Sequence, residues 1–571
     1  MISAVTKRII RSAASPYLLL GLTAIGTLFF RIGRLPFLGN DECRYARIAE
    51  EMNQAGRWVT PVLQGIPWLE KPPLYYWMTI LSYKLFGVSE ATARIAPAVC
   101  ALLAAVSILW LGSKLWSLRA GLLGGLIMLT AIGCCGYGRS ASPDMPITAC
   151  LTIAFALLAA ATLKGGMALW KIWCAYSLLG LGVLAKGPVA LVLGAGILIL
   201  FWTLDEKGGS LKGLHFLSGS VIALTVAIPW HLLAFKETGF TFISSYLINH
   251  NFARYVTEVH HHEQPVFYFV PVMLGLLFPW TGWLPALIPR HPRFRIPDLR
   301  TWDRSTLFLG CWILFPFLFF SFSTSKLPGY ILPSLPPLAL LLGRKLSDLI
   351  ETSQTPRVTP WFNLVFMSVL AIAFPVYMWL SYEDTWRAGL LLALAVALPA
   401  LCAFWLARRG NLLGAIHATV AQGLVFVLAV TQFGFAPLAE YNSAHDIAIQ
   451  AVKESAGAAP IITFSYFDQT LLYYTDYHID ANITDARSLL EYARKQPEFL
   501  IVTTAQLTRD LLKMPQLSVT QLGEQGRLRL LRVLYRHPTS DLRLPTKGRS
   551  QKSGVRSQNG VVPWPPIIFD L

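Results

Sequence analysis

Apolar runs, each close to the length that crosses a bilayer, recur along the first three quarters of the chain, with short charged or Pro/Gly-rich breaks between them. They fall at about 15–32, 95–112, 120–137, 147–163, 172–185, 187–204, 216–233, 266–288, 305–322, 330–343, 361–380, 388–406 and 413–434. The pattern predicts about thirteen transmembrane helices. One long gap, of about sixty residues, follows the first run. Within it Tyr45, Ile48, Ala49 and Met52 recur at helical spacing, which predicts an amphipathic helix lying at the bilayer interface. From about residue 436 the pattern changes to short β-rich runs alternating with amphipathic ones, as in "APIITFSYFDQTLLYYTDYHI" and "RLRLLRVLYR". The expected organisation is a transmembrane domain over 1–435, a small α/β domain over 436–535, and a basic tail over 536–571 with the composition of a disordered segment.

Composition agrees with this plan. The chain has 571 residues, of which 54% are hydrophobic and 14% charged, and its mean hydropathy is +0.51, too apolar for a soluble multidomain protein. The net charge of +17 does not point to nucleic acid, because no basic segment interleaves with aromatics on a polar platform. The basic residues instead gather in short loops such as "SKLWSLR", "LKGGMALWK" and "PRHPRFRIPDLRTWDR". By the positive-inside rule these loops and the basic amino terminus are cytoplasmic, which places the long first loop and the carboxyl-terminal domain together on the outer, periplasmic face. The first run is expected to be a retained signal anchor, since no small-residue cleavage site follows it. Seven of the eight cysteines lie in or beside apolar runs, so no disulfide framework is implied.

Topology then gives the polar residues a common address. Asp41, Glu42, Arg44, Glu70, Lys71, Asp144, Lys186, His250, Arg254, Lys326 and Tyr330 all fall on the outer side. Asp41 and Glu42 sit at the amino-terminal end of the predicted interfacial helix, where the dipole favours carboxylates, so Asp41 as a helix cap and Asp41 as a site residue both fit the pattern. In "EKPP" two prolines hold the backbone extended behind Glu70 and Lys71, a rigid turn that can fix an ammonium for a phosphate. Lys186 in "LAKGPVAL" and Lys326 in "STSKLPGY" are single charges between apolar runs, which marks them as functional candidates. The consecutive His260, His261 and His262 cannot easily converge on one ion, and no Cys or His partner stands at zinc spacing. The expectation is that no metal is required. A divalent ion shared by Glu70 and one histidine is the alternative, without support from spacing.

Six motifs in order, "DECRYARIAEEMNQAGRWVTPVLQGIPWLEKPPLYYWM", "SPDMP", "AKGPVAL", "NHNFARY", "HEQPVFYFVPVMLGLLFPW" and "SKLPGYILPSLPPLALLL", resemble the bacterial aminoarabinose (lipid A) transferase family. That family is grouped with the protein O-mannosyltransferases among GT-C glycosyltransferases that use polyprenyl-phosphate sugars. The resemblance implies a GT-C fold with interfacial helices in the first outer loop. It also implies an inverting glycosyltransferase of the bacterial inner membrane, moving a pentose or hexose from a polyprenyl (undecaprenyl) phosphate to lipid A or another envelope glycan. Matched motif by motif, Asp41 and Asp144 are the two outer-loop acids and Lys186 pairs with carboxylates, with Arg44 in the same network. Lys71 meets the lipid phosphate and Arg254 assists it. Glu42, Tyr45, Glu70 and Tyr75 in the first motif, with His250, Lys326 and Tyr330 in the later ones, are the further candidate substrate contacts. Cys43 departs from the small residue or Thr usual between the acid and the arginine.

If the acceptor is a lipid A phosphate it needs no general base, and Asp41 and Asp144 orient the sugar. If it is a hydroxyl, as in a protein O-mannosyltransferase, Asp41 is the natural base. A lipid-linked sugar transporter or flippase is the rival from another class, but it predicts charges at the bilayer midplane rather than at one face. No Gly-rich loop for a nucleotide sugar is present.

Overall fold

The computed structural model describes residues 15–164, 168–205, 214–253, 264–288, 302–382 and 385–536. Among these, the chain forms two compact units. The first takes in the chain up to His445 together with Asp468–Tyr477; the second is built from Asp446–Phe467 and the chain from His478 onward.

Each of the thirteen apolar runs coincides with a helix or with two consecutive helical segments, as in a multi-pass membrane protein. Seven of the described helices are long and apolar enough to cross a bilayer, and nine if two bent pairs each count once. Those pairs are Leu118–Thr130 with Ile132–Gly138, bent by 59°, and Val266–Leu276 with Trp280–Leu287, bent by 112°. Ser15–Phe29 and Val189–Leu204 are apolar but shorter. The run at 330–343 is divided between a tight 3₁₀ segment, Pro328–Ser334, and the helix Leu335–Glu351, whose far half is charged. Apolar runs therefore locate helices well, while proline and buried polar groups decide how many are straight spans.

Local signals set the helix ends. Ser89 and Thr92 form a reciprocal capping box at the start of Glu90–Leu115, and Ser117 caps Leu118–Thr130 through the Ala120 N–H. These two helices approach closely because Gly121 carries no side chain; a Cβ there would lie 2.2 Å from the Leu109 carbonyl oxygen. Polar groups inside the bundle are satisfied across helices. The Trp280 indole donates to Thr130 at 2.9 Å, and the Trp283 indole to Thr419 at 3.0 Å.

The long first loop carries two helices of its own, Gly39–Gln54 and Leu74–Phe86. The expected apolar stripe is correct: Tyr45, Ile48, Ala49 and Met52 are all buried. They pack with Tyr75, Tyr76, Ile80 and Tyr83 into a small separate core, against which Tyr473, Tyr474 and Tyr477 also lie.

The second unit is a five-stranded mixed sheet in the order Ala481–Ile483, Ile461–Phe464, Glu498–Thr504, Leu528–Tyr535, Leu517–Gln525. The first three strands are parallel and the last two antiparallel. Ile462, Ile501, Leu531 and Val533 meet Leu489 and Leu511 from the covering helices in its core. Arg254, His260, His261, His262 and the tail from 537 lie outside the described residues.

Candidate active site

The first loop is shaped by its turn residues. Gln64 and Gly65 both have positive φ (53° and 73°) and join a two-residue hairpin, Val62–Leu63 with Ile66–Pro67. The chain then bends at Glu70 and Lys71 before Pro73, at the cap position, opens the helix Leu74–Phe86. Gly39, at φ 63°, begins Gly39–Gln54, which carries Asp41 and Glu42 in its first turn, with Leu38 at the cap position and no side-chain cap. Asp41 is thus not a cap. Its carboxylate pairs with Arg44 one turn on, and at 58% exposure it remains accessible.

Arg44, buried, continues from Asp41 to Glu70 at 3.5 Å and lies over the Trp68 ring, 5.2 Å from its centroid. Glu70 in turn accepts from Lys71 at 2.9 Å. The sequence Asp41–Arg44–Glu70–Lys71 is therefore a chain of alternating charge. Burial alone would push the Glu70 carboxyl up, but Lys71, Arg44 and His250 together outweigh it and hold it well below the usual range. Glu70 therefore stays ionised beside Lys71.

A second pair comes from two helix ends. Gly187, at φ 99°, and Pro188 stop the helix Leu169–Lys186, leaving Lys186 as its last residue, while Asp144 is the first residue of Asp144–Lys164. Each charge sits at the end that its dipole favours, and the two form an ion pair. The Lys186 ammonium also lies 5.0 Å from the centre of the Tyr330 ring. Gly329 allows this approach, because a Cβ there would stand 2.8 Å from an Asp144 carboxylate oxygen.

Two cavities meet at these groups. The larger, about 510 Å³, has a mostly aliphatic and aromatic wall that includes Val189, Val192, Leu193, Leu247, Phe319 and Phe320, with Glu70, Lys71, Lys186 and His250 at its polar part. Val192 and Leu247 are themselves surface-exposed, so this cavity reaches the apolar exterior of the bundle. The smaller, about 220 Å³, is lined by Asp41, Tyr45, Tyr137, Ser140, Ser142 and Asp144 among others. Lys71, Lys186, Gly329 and Tyr330 line both. The arrangement can hold an amphiphile with its chain in one cavity, its polar end in the other, and an anion at two ammonium groups between them.

Of the residues expected from sequence, Asp41, Glu42, Tyr45, Glu70, Lys71, Asp144, Lys186, His250 and Tyr330 line one or both cavities. The expectation that Asp41, Arg44, Asp144 and Lys186 form one network needs correcting. They form two separate pairs whose carboxylates face the same chamber, and Arg44 turns toward Glu70. Tyr75 lines neither cavity; it is fully buried in the first-loop core and donates to the Ala93 carbonyl at 3.0 Å. Lys326 also lines neither, because its ammonium folds back to the Ser323 carbonyl at 2.5 Å. Glu42 edges the chamber but is held by Arg94 at 2.9 Å and by the Ala141 and Leu38 N–H groups at 2.7 and 3.2 Å. Arg94 carries no signal of this role in the sequence, because it sits at the start of an apolar run. Tyr137, Ser140 and Ser142 are signalled only by their position before Asp144. Among the described residues no group of three or more His, Cys, Asp or Glu side chains is placed to hold a metal ion.

The family described as dolichyl-phosphate-mannose-protein mannosyltransferase matches residues 70–232. A curated protein of Enterobacter sp. (strain 638), named undecaprenyl phosphate-alpha-4-amino-4-deoxy-L-arabinose arabinosyl transferase, is 34% identical over 343 residues; the match covers 58% of this chain and only 59% of that relative's length. The crystal structure of ArnT from Cupriavidus metallidurans bound to undecaprenyl phosphate superposes with a TM-score of 0.73 at 24% identity, covering 91% of this chain and 98% of that one. The archaeal oligosaccharyltransferase AglB from Archaeoglobus fulgidus shares the fold at a TM-score of 0.51 and 13% identity, over 86% of this chain and 69% of that one. These likenesses show that the chain shares the fold of the Cupriavidus ArnT structure and is similar in sequence, over about three fifths of its length, to the Enterobacter transferase.

Proposed function

We propose that the protein is an inverting glycosyltransferase that moves a pentose of the aminoarabinose type from undecaprenyl phosphate to a phosphate of lipid A, at the outer side of the bacterial inner membrane. The observation that carries the reading is the pair of cavities of opposite polarity that share Lys71 and Lys186. The name of the Enterobacter relative and the ligand of the Cupriavidus structure supply the donor chemistry. Basic loops and a basic amino terminus support a cytoplasmic amino terminus, with the first loop and the second unit on the periplasmic side.

In this reading the polyprenyl chain lies in the apolar cavity, the sugar in the polar chamber, and the bridging phosphate between Lys71 and Lys186, with Arg254 as a further phosphate ligand. An acceptor phosphate oxygen attacks the anomeric carbon from the face opposite the leaving group. As that bond forms, the bond from the anomeric carbon to the donor phosphate oxygen breaks, and its electron pair stays on the phosphate. One negative charge is lost at the acceptor and one gained at the leaving group. No proton moves, so no general base is required. Preorganised ammonium groups stabilise the charge where it develops. Asp41 and Asp144 orient the sugar, and Arg44 and Glu70 fix Asp41 and Lys71. A protein hydroxyl acceptor, favoured by the name of the matching family, would instead use Asp41 as base.

The test is reconstitution of the purified protein with undecaprenyl-phosphate aminoarabinose and lipid A, read by mass spectrometry. A lipid A species heavier by one pentosyl residue is expected. An unmodified lipid A beside a glycosylated protein would overturn the acceptor assignment, and an unchanged donor would overturn the donor.

A further inference from the structure

A second cationic feature lies beyond the transfer site. The first membrane helix, Ser15–Ala24 continued by Ile25–Phe29, ends at Phe30, and the next residue, Arg31, has a left-handed backbone at φ 51°. Arg139 holds that turn, its guanidinium donating to the carbonyls of Thr27, Leu28, Phe30 and Arg31 at 3.0–3.3 Å. With the turn so held, Arg31 and Arg34 donate to one and the same atom, the side-chain oxygen of Gln432, at 2.5 and 2.7 Å. Gln432 lies in the π-helical turn Val430–Gly434 that continues the last membrane helix, Leu412–Ala429, which packs against Ile25–Phe29.

Among the described residues none of these three arginines is paired with a carboxylate. Two guanidiniums sharing a single neutral oxygen repel each other, and a bidentate oxyanion is the ligand that matches their geometry. The surroundings are apolar as well as cationic. Ile25, Phe30 and Phe433 are exposed by 59%, 40% and 42%, and Arg31 lies 5.5 Å from the Phe30 ring centre. Tyr137 and Ser140, on either side of Arg139, line the polar chamber, whereas the apolar cavity has no lining residue in these segments.

We propose that Arg31 and Arg34, set by Arg139 and Gln432, bind the phosphate of a membrane amphiphile between the first and last membrane helices. Resting on the transfer reading above, the site delivers a phosphorylated acceptor lipid to the polar chamber from the side away from the donor chain. The shared chemistry is a lipid phosphate, and its source is either a phosphorylated glycolipid or an ordinary anionic phospholipid.

Gln432→Glu tests this directly, because it places a carboxylate between the two arginines and neutralises them without removing either. The full chain in phosphatidylcholine nanodiscs would be titrated with lipid A, with phosphatidylglycerol and with undecaprenyl phosphate, and bound lipid read by native mass spectrometry. Gln432→Glu and the double variant Arg31→Gln/Arg34→Gln should each bind lipid A about tenfold more weakly, equivalent to about 1.4 kcal/mol, with undecaprenyl phosphate binding unchanged. Weakening confined to lipid A supports a glycolipid phosphate, and equal weakening for phosphatidylglycerol supports any anionic lipid. Unchanged lipid A binding in whichever variant folds with a wild-type melting temperature overturns the site. If the wild type fails to bind undecaprenyl phosphate, the donor reading fails, while the lipid A comparison still decides this proposal.

Discussion

The apolar cavity and the polar chamber are built by different means. The apolar cavity is assembled from membrane helices far apart in sequence, with Val192 and Leu193 on one wall and Phe319 and Phe320 on another. The chamber is assembled from helix ends and turns, namely the start of Gly39–Gln54, the "SASPD" turn and the "LPGY" segment. Helix walls give a surface that tolerates a long, featureless chain. Helix ends supply fixed charges and dipoles that can discriminate one polar group from another. Lys71 and Lys186 belong to both, and the separation of roles is open to test at each place.

The largest effect is expected at the junction. Lys71→Gln and Lys186→Gln each keep a hydrogen-bond donor for the neighbouring carboxylate while removing the charge, and each should lower the rate of transfer by about 10²–10³-fold. The measurement is single-turnover transfer at saturating donor. If both variants keep near-normal rates, the phosphate is not bound where the cavities meet.

Next comes the chamber alone. Asp41→Asn keeps size and removes charge. Asp41 is itself 58% exposed, Asn keeps an acceptor for Arg44, and buried Arg44 still pairs with Glu70, so the melting temperature should stay near that of the wild type. Loss of an orienting or basic carboxylate should cost about 10²-fold or more in transfer, with donor binding little changed. An active Asp41→Asn enzyme would remove Asp41 from the mechanism.

In the apolar cavity the expected effect is smaller and of another kind. Val192→Trp adds bulk at an exposed rim position and should raise KM for a long-chain donor about tenfold, equivalent to about 1.4 kcal/mol of binding. A donor with a short, soluble chain should show no change. Equal loss for both donors would mean that the variant disturbs the junction rather than the chain groove.

What is legible in the sequence follows the same division. Chamber residues stand beside Gly and Pro, which end helices at definable points, so the charges of the loops between helices are enough to assign "SPD", "EKPP", "AKGP" and "KLPGY" to one face. Lone charges between apolar runs stand out for the same reason. What is not legible depends on contacts distant in sequence. Ala93 receives the Tyr75 hydroxyl and Lys326 turns back on Ser323, so neither lines a cavity, and Glu42, at the chamber edge, is held by Arg94. The straightness of the helices is equally hidden, since a 112° bend after Leu276 leaves hydropathy unchanged. Nor does any local pattern announce that Asp468–Tyr477, embedded between strands of the second unit, joins the first.

That segment yields the smallest and most selective expectation. The Tyr474 hydroxyl accepts from the Phe37 N–H at 2.8 Å and donates to Glu90 at 2.9 Å. Arg47, two turns along from Asp41, reaches Glu51 at 2.9 Å and Asp476 at 2.6 Å. The segment therefore braces the start and the middle of the Asp41-bearing helix without itself contributing a residue to the chamber lining. Tyr474→Phe keeps the ring and leaves the buried Phe37 N–H without its acceptor, which should cost about 1–3 kcal/mol of local stability. Faster proteolysis within the first loop is the expected sign. Transfer at saturating donor should fall by only a small factor, because the charges at Asp41, Lys71 and Lys186 are untouched. Asp41→Asn loses rate without stability and Tyr474→Phe stability without rate. If Tyr474→Phe instead matched Asp41→Asn in rate, the brace would be a part of the chemistry, and the separation of scaffold from chamber would fail.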